Sequence, residues 1–209
     1  MHPKKLVLIL ATLTMVVALA ACGSSEGATD GGDREAPEKK EAPEKKGAED
    51  SGKEEATIVE PASNETLKLT VPKMERVKNV TVPTAVADEE ALRNNLAVRI
   101  PITGLPWQKE ANVYIAGHEL GYLGTPSYRA FYDLKKLEKG DEIYITDADG
   151  REYTYEVFKV IIIQPTDLWV LDVLEGRNIV SLQGSETQQQ VGDNIPKRVV
   201  RAELKDVKK

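Results

Sequence analysis

The stretch Asp141-Glu142-Ile143-Tyr144-Ile145-Thr146-Asp147-Ala148-Asp149-Gly150-Arg151-Glu152-Tyr153-Thr154-Tyr155-Glu156-Val157 decides the fold class. Apolar residues alternate with polar ones on both arms, the period-two pattern of half-buried strands. Asp149-Gly150 between the arms is a pair that accepts left-handed backbone, and so marks a hairpin turn. Asp147-Ala148-Asp149-Gly150 also resembles the opening of a calcium loop. Its twelfth position would be Phe158, where a bidentate glutamate is needed, so that site is rejected.

Working outward, the same alternation predicts strands at 66–71, 77–82, 97–100, 111–116, 178–182 and 198–204, beside 141–146 and 152–163. Helical signals are few. Asp88 caps a helix over 89–95, and 128–137 reads as an amphipathic turn or two stopped by Gly140. Eight short strands with one or two short helices predict an all-β barrel or sandwich.

The chain has 209 residues, and all eleven aromatics lie between Trp107 and Trp169. The packed domain is therefore C-terminal, and the roughly 140 residues from about Leu67 onward suffice for one core. Arg99 and Arg201 read as exposed strand residues, and Trp107 and Trp169 as core or rim packing. With 28 basic against 34 acidic side chains the net charge is -6, which argues against a nucleic-acid partner. One cysteine and two histidines exclude a disulfide framework and a cysteine-built metal site. No glycine-rich phosphate loop follows a strand, so no nucleotide, flavin or other cofactor is expected. Asn64-Glu65-Thr66 and Asn79-Val80-Thr81 fit the glycosylation sequon, a short pattern that carries little weight.

The N-terminus accounts for the cysteine. Lys4 and Lys5 precede an uncharged run over 6–21, the layout of a secretory signal. The run ends in Leu19-Ala20-Ala21-Cys22, which resembles the bacterial lipobox, whose cysteine is lipidated and becomes the new N-terminus. At ~0.8 kcal/mol per buried methylene, two or three acyl chains make a stable anchor. Residues 23–60 contain no aromatic and carry twelve acidic against six basic side chains. Glu35-Ala36-Pro37-Glu38-Lys39-Lys40 repeats at once as Glu41-Ala42-Pro43-Glu44-Lys45-Lys46. Such a segment cannot bury enough apolar area to offset its ordering entropy and serves as a solvated spacer. The expected organisation is a signal peptide at 1–21, a lipid-anchored tether at 22–65 and a folded domain at 66–209. Cleavage also removes His2, leaving His118 as the only imidazole.

Three stretches together resemble the sortases, most closely class E. The first is Pro106-Trp107 with Asn112-Val113-Tyr114-Ile115-Ala116-Gly117-His118, continuing through Leu120-Gly121-Tyr122-Leu123-Gly124-Thr125-Pro126. The second comprises Phe131-Tyr132-Asp133-Leu134, Gly140-Asp141-Glu142-Ile143 and Tyr153-Thr154-Tyr155-Glu156-Val157. The third is Ile179-Val180-Ser181-Leu182-Gln183, followed after a loop by Arg198-Val199-Val200-Arg201-Ala202. The resemblance covers roughly 66–205 and implies a closed eight-stranded barrel. It also implies a cysteine–histidine–arginine chemistry. A thiolate attacks the Thr–Gly carbonyl of an LPXTG-like sorting signal, and the thioester passes to an amine of peptidoglycan or a pilin.

On that pattern His118 is the catalytic histidine and Arg198 the arginine. Where the family has Thr-Leu-x-Thr-Cys, this chain reads Ser181-Leu182-Gln183-Gly184-Ser185. Ser185 thus stands at the nucleophile position, and Cys22 is claimed by the lipid. Glu119 stands where class E usually has arginine, and the loop at 186–196 is unlike the usual post-cysteine segment. A hydroxyl gains little from a positive neighbour alone; it needs a neutral base, itself oriented by a partner. Glu119 is the nearest acid, but on a strand it would face away from His118, so no orienter is evident.

Three readings follow. The protein is an inactive or weakly active sortase-like lipoprotein that keeps a peptide groove. Alternatively it is a catalyst using Ser185 with His118 as base and Arg198 on the oxyanion. The third reading is a structural or partner-binding barrel. The resemblance places it on the outer face of the cytoplasmic membrane of a Gram-positive-type bacterium. Its implied partners are a sorting-signal peptide, an acceptor amine and possible pairing with an active sortase.

Overall fold

The computed structural model describes residues 57–186 and 194–209. The leader, Cys22 and most of the expected tether lie outside the described residues. In chain order the elements are β1 (Leu67–Thr70), β2 (Val80–Val82), α1 (Glu89–Asn94), β3 (Val98–Arg99), β4 (Asn112–Ala116) and β5 (Glu142–Thr146). β6 (Glu152–Ile163), β7 (Ile179–Ser185) and β8 (Lys197–Lys208) complete the sheet. Short 3-10 turns at Tyr132–Lys136 and Leu168–Leu171 lie in the connections.

The eight strands form one mixed sheet in the order β2-β1-β5-β6-β8-β7-β4-β3. Its two ends meet where Arg99 of β3 bridges Thr84, just after β2. Arg99 N–H donates to Pro83 O at 2.9 Å and Ala85 N–H to Arg99 O at 3.0 Å, so the barrel is nearly closed. All pairings between the named strands are antiparallel except β4 with β7. Register shifts between β6 and β8, at Thr154/Tyr155 and Val157/Lys159, add the local twist that closure needs.

The barrel interior holds the alternating residues read from the sequence: Leu67 and Leu69, Ile143 and Ile145, then Tyr153, Tyr155 and Val157. Val113, Ile115, Val180, Leu182, Val200 and Ala202 complete it. β4 is buried at all five positions because both its faces are covered. Its outer face packs Tyr114 into a smaller cluster with Ile163, Val170 and Val199, beneath the 3-10 turn between β6 and β7. The hairpin turn forms as predicted, with Gly150 at φ 84°. Asp147 closes it: Oδ1 accepts from the Asp149 and Arg151 amides, and Oδ2 from Arg151 Nε at 2.7 Å and Tyr153 Oη at 3.0 Å.

The N-cap at Asp88 matches, its carboxylate accepting from Ala91 N–H at 2.8 Å. Three expectations need correction. The segment over 128–137 is not an α-helix: Arg129 sits at φ 53°, which interrupts any helix, and only Tyr132–Lys136 winds as 3-10. β7 and β8 extend past their expected ends, to Ser185 and Lys208. Those extensions are mostly polar, with Val207 their one large apolar residue, so apolar alternation marks them poorly. Arg99 and Arg201 are buried, not exposed, at 2% and 4% accessibility. Arg99 sits at the barrel seam, donating to the Thr103 carbonyl at 2.6 Å and pairing with Glu65 at 2.7 Å. Arg201 donates to Val170 O at 2.8 Å with Trp169 stacked at 5.5 Å.

Residues 57–65, expected at the end of the tether, lie against the barrel. Ile58 N–H donates to Trp107 O at 2.8 Å, Ser63 N–H to Asp149 at 3.1 Å, and Glu60 O accepts from Arg151. Arg99→Ala removes the seam's buried cation and strands its carbonyl acceptors, at a cost of about 1–3 kcal/mol for each group left unpaired. Denaturant unfolding is expected to show a loss of about 3 kcal/mol, with no comparable loss for Lys68→Ala on the exposed face of β1.

Candidate functional site at one barrel end

The parallel pairing of β4 and β7 sets Ala116 opposite Gln183, and Gly117 N–H donates to the Gln183 carbonyl at 3.0 Å. Two residues further along each chain stand His118 and Ser185, so a shared register carries both to the same end of neighbouring strands. Gly117 is required here: a Cβ would lie 2.7 Å from the Phe131 ring. Phe131 in turn donates its N–H to His118 O at 2.8 Å. The turn that follows β4 thereby fixes the backbone of the histidine it follows.

The His118 ring is 20% exposed. It meets Tyr122 edge-on at 5.8 Å between centroids. Its Nε2 lies 3.5 Å from Glu89 Oε1 in the first turn of α1. That is an ion-pair distance without the alignment of a hydrogen bond, and the buried Nε2 has no hydrogen-bond partner among the described residues. Burial pushes the His118 pKa below the ordinary 6.5; Glu89 pushes it partly back, and the nearby Lys197 ammonium lowers it again. The imidazole is therefore neutral at neutral pH.

β8 enters from the same end, antiparallel to β7, with Gly184 opposite Arg198 and Ser185 opposite Lys197. Alternation assigns these pairs to different faces. Leu182 and Val200 point into the barrel, Gln183 and Val199 outward, and Gly184 faces inward against Leu134. Arg198 shares the Gly184 face. Its guanidinium is clamped by Glu186, Nε to Oε2 at 2.6 Å and Nη2 to Oε1 at 2.9 Å. Ser185 shares the outer face with Lys197, whose Nζ donates to Ser185 Oγ at 3.3 Å. Lys197 is half-buried, and burial lowers its pKa from the ordinary 10.5.

The trio named from sequence is thus divided. His118 and Ser185 come to one end of adjacent strands. Arg198 does not face His118 across neighbouring strands, because β7 lies between them, and it is held by Glu186. Lys197 stands at the serine instead. A one-residue ambiguity at Lys197-Arg198 hid this, since the connection between β7 and β8 leaves the register free in the sequence. Glu89 supplies the acid near His118 that sequence could not locate, while Glu119 is buried with Oε1 3.7 Å from Lys135. The Asp88-Glu89-Glu90 cap signal marked the helix but not where it docks.

Beside Lys197, on the same face, is a cleft of about 190 Å³ lined by Ile100, Tyr114, Ile163, Leu168 and Gln183 among others. Tyr114 Oη donates to Gln183 Oε1 at 2.6 Å across its floor. Leu168 and Trp169 stand exposed on the covering turn. Among the described residues no three His, Cys, Asp or Glu side chains converge as a metal site would require.

A family profile described as "Sortase domain" matches residues 69–205, the whole barrel from β1 into β8. The chain belongs to the sortase family. Solved sortases share the fold. Sortase C-1 from Actinomyces oris is 19% identical with a TM-score of 0.58, over 69% of this chain and 76% of that one. The SrtA sortase from Actinomyces oris is 20% identical with a TM-score of 0.57, over 73% and 86%. Sortase A from Corynebacterium diphtheriae is 20% identical with a TM-score of 0.56, over 68% and 61%. A search of curated proteins found no significant match.

In this sortase-family barrel the depressed His118 has a measurable sign. The folded state resists protonation that the unfolded chain accepts, so stability declines as pH falls from about 6.5 through the folded pKa. An NMR titration is expected to give a His118 midpoint below 6.5. Glu89→Gln should lower that midpoint further and Lys197→Met should raise it.

Proposed function

We propose that this protein is a class E-like, lipid-anchored sortase-family member on the outer face of a Gram-positive-type cytoplasmic membrane. It captures a sorting-signal peptide but has lost cysteine-type transpeptidation. The observation that carries this reading is the hydroxyl of Ser185 at the end of β7, level with His118, where the family pattern has its cysteine. A thiol near pKa 8.5 supplies thiolate beside a cation at neutral pH, whereas a serine hydroxyl does not ionise there. Peptide recognition needs no nucleophile. It needs the apolar cleft beside Lys197, the residue opposite Ser185, and the exposed Leu168 of that cleft suits an extended peptide with small apolar side chains.

Other departures support the reading. Gly184 replaces the family threonine, and a Cβ there would approach Leu134 to 3.2 Å, so the Tyr132–Lys136 turn has settled onto a bare backbone. Arg198, the residue matched to the family arginine, is committed to Glu186. The anchor at Cys22 and the acidic tether hold the barrel above the membrane, within reach of sorting signals that a cysteine-bearing sortase passes to peptidoglycan or pilin amines.

Two measurements test this. A fluorescent sorting-signal peptide is expected to bind the wild type without being cleaved, and Ser185→Cys should raise cleavage by at least about 100-fold. Wild-type cleavage that matches the cysteine variant sinks the loss of activity, and absence of binding sinks the groove. Separately, Cys22→Ala should move the protein from the membrane to the soluble fraction and remove the acyl mass.

A further inference from the structure

We propose that Ser185 and Lys197 form a nucleophile–base pair, a serine-type acyl-transfer site that accepts an activated acyl ester from the adjoining cleft. The proposal rests on the reading of Ser185 as the occupant of the nucleophile position, and adds a reaction to it. Register sets the two residues directly opposite across β7 and β8, on the outer face, and their side chains meet at 3.3 Å. Lys197 is the described side chain hydrogen-bonded to Ser185 Oγ, whereas His118 turns its Nε2 toward Glu89.

The surroundings suit an amine that gives up its proton. Tyr114 and Gln183 face Lys197 from β4 and β7, and Asp167 lines the same cleft from the segment after β6. No carboxylate among the described residues lies within ion-pair distance of Nζ; Glu186 is occupied by Arg198 on the opposite face, and Glu89 lies by the His118 ring. His118, close enough for the Lys197 charge to act on it, adds a positive charge only when protonated. With burial lowering the Lys197 pKa, the amine form is reached at milder pH than for a solvated lysine.

The step balances within the site. The Nζ lone pair takes the Ser185 hydroxyl proton as Oγ bonds to the acyl carbon, and the C=O π pair moves to oxygen. Collapse breaks the bond to the leaving alcohol, which receives the proton from Nζ. Water then attacks the serine ester, with Nζ again taking and returning one proton, and a carboxylic acid leaves. A serine ester is a slower donor than a thioester, which fits capture followed by slow hydrolysis.

The test uses the full-length protein in detergent, with p-nitrophenyl acetate as the acyl donor and intact-mass detection of the adduct. Wild type is expected to gain one acetyl group, mapped to Ser185 and absent in Ser185→Ala. Lys197→Met and Lys197→Arg should each slow acylation by at least about 100-fold, the scale of general-base catalysis. Lysine-like rates in Lys197→Arg would mean that charge alone suffices and overturn the pair. So would a wild-type pH–rate midpoint that coincides with the His118 NMR midpoint. The expected midpoint lies above that of His118 and below 10.5, and this wild-type measurement stands even if a variant misfolds. Sorting-signal binding without acylation overturns the pair and leaves the peptide-capture reading intact. Acylation with no peptide binding upholds the pair and removes that reading.

Discussion

The parallel pairing of β4 with β7 is the constraint on which the rest of the molecule depends. It is the one parallel contact among the named strands, and it sends two strands out of the barrel at the same end. His118 and Ser185, more than sixty residues apart in sequence, become neighbours for that reason alone. Holding the pairing requires a bare backbone at Gly117, because Phe131 packs where a Cβ would stand. The same phenylalanine anchors the His118 carbonyl through its N–H. Packing and site geometry here share the same atoms.

Around that pairing the barrel has two cores with different duties. The interior cluster joins strands from every part of the sheet and supplies most of the apolar burial that favours folding. The outer cluster at Tyr114, Ile163, Val170 and Val199 fastens the segment between β6 and β7 onto the sheet, and so builds the wall of the cleft beside Lys197. The seam is handled differently. Only two residues of β3 pair with β4, and the barrel closes through Arg99, whose buried guanidinium gathers carbonyls and Glu65 from the incoming chain. Ordering residues 57–65 and closing the barrel are therefore linked.

The charges around the serine differ from those that would favour a thiolate. A thiolate is stabilised by charged neighbours, so an imidazolium and an arginine serve it well. Here the histidine is pressed toward neutrality by burial, and the arginine is neutralised by Glu186. What faces the serine is the half-buried Nζ of Lys197, 3.3 Å from its hydroxyl. Neutral bases suit a hydroxyl, which must lose its proton during attack rather than before it.

Much of the barrel was legible in the sequence because its signals are local. Period-two alternation placed all eight strands, Asp149-Gly150 placed the hairpin, and Asp88 capped α1 where expected. The position of His118 at a strand end and the occupation of position 185 by serine were also readable, since both follow from residue order. Mostly polar strand ends were not, because backbone pairing leaves no mark in side-chain pattern; this hid the extensions of β7 and β8, where Val207 is the one large apolar residue. The burial of Arg99 and Arg201 was hidden too, since a guanidinium inside a protein is tolerated only by carbonyls and carboxylates from distant segments. The sequence by itself determined which chemical groups the barrel carries and in what order. Only the tertiary structure decided which of them meet: a one-residue choice of register exchanges Arg198 for Lys197 at Ser185, and the docking of α1 brings Glu89 to His118. Cross-strand register and helix docking are set by packing between segments far apart in the chain, and no local pattern encodes either.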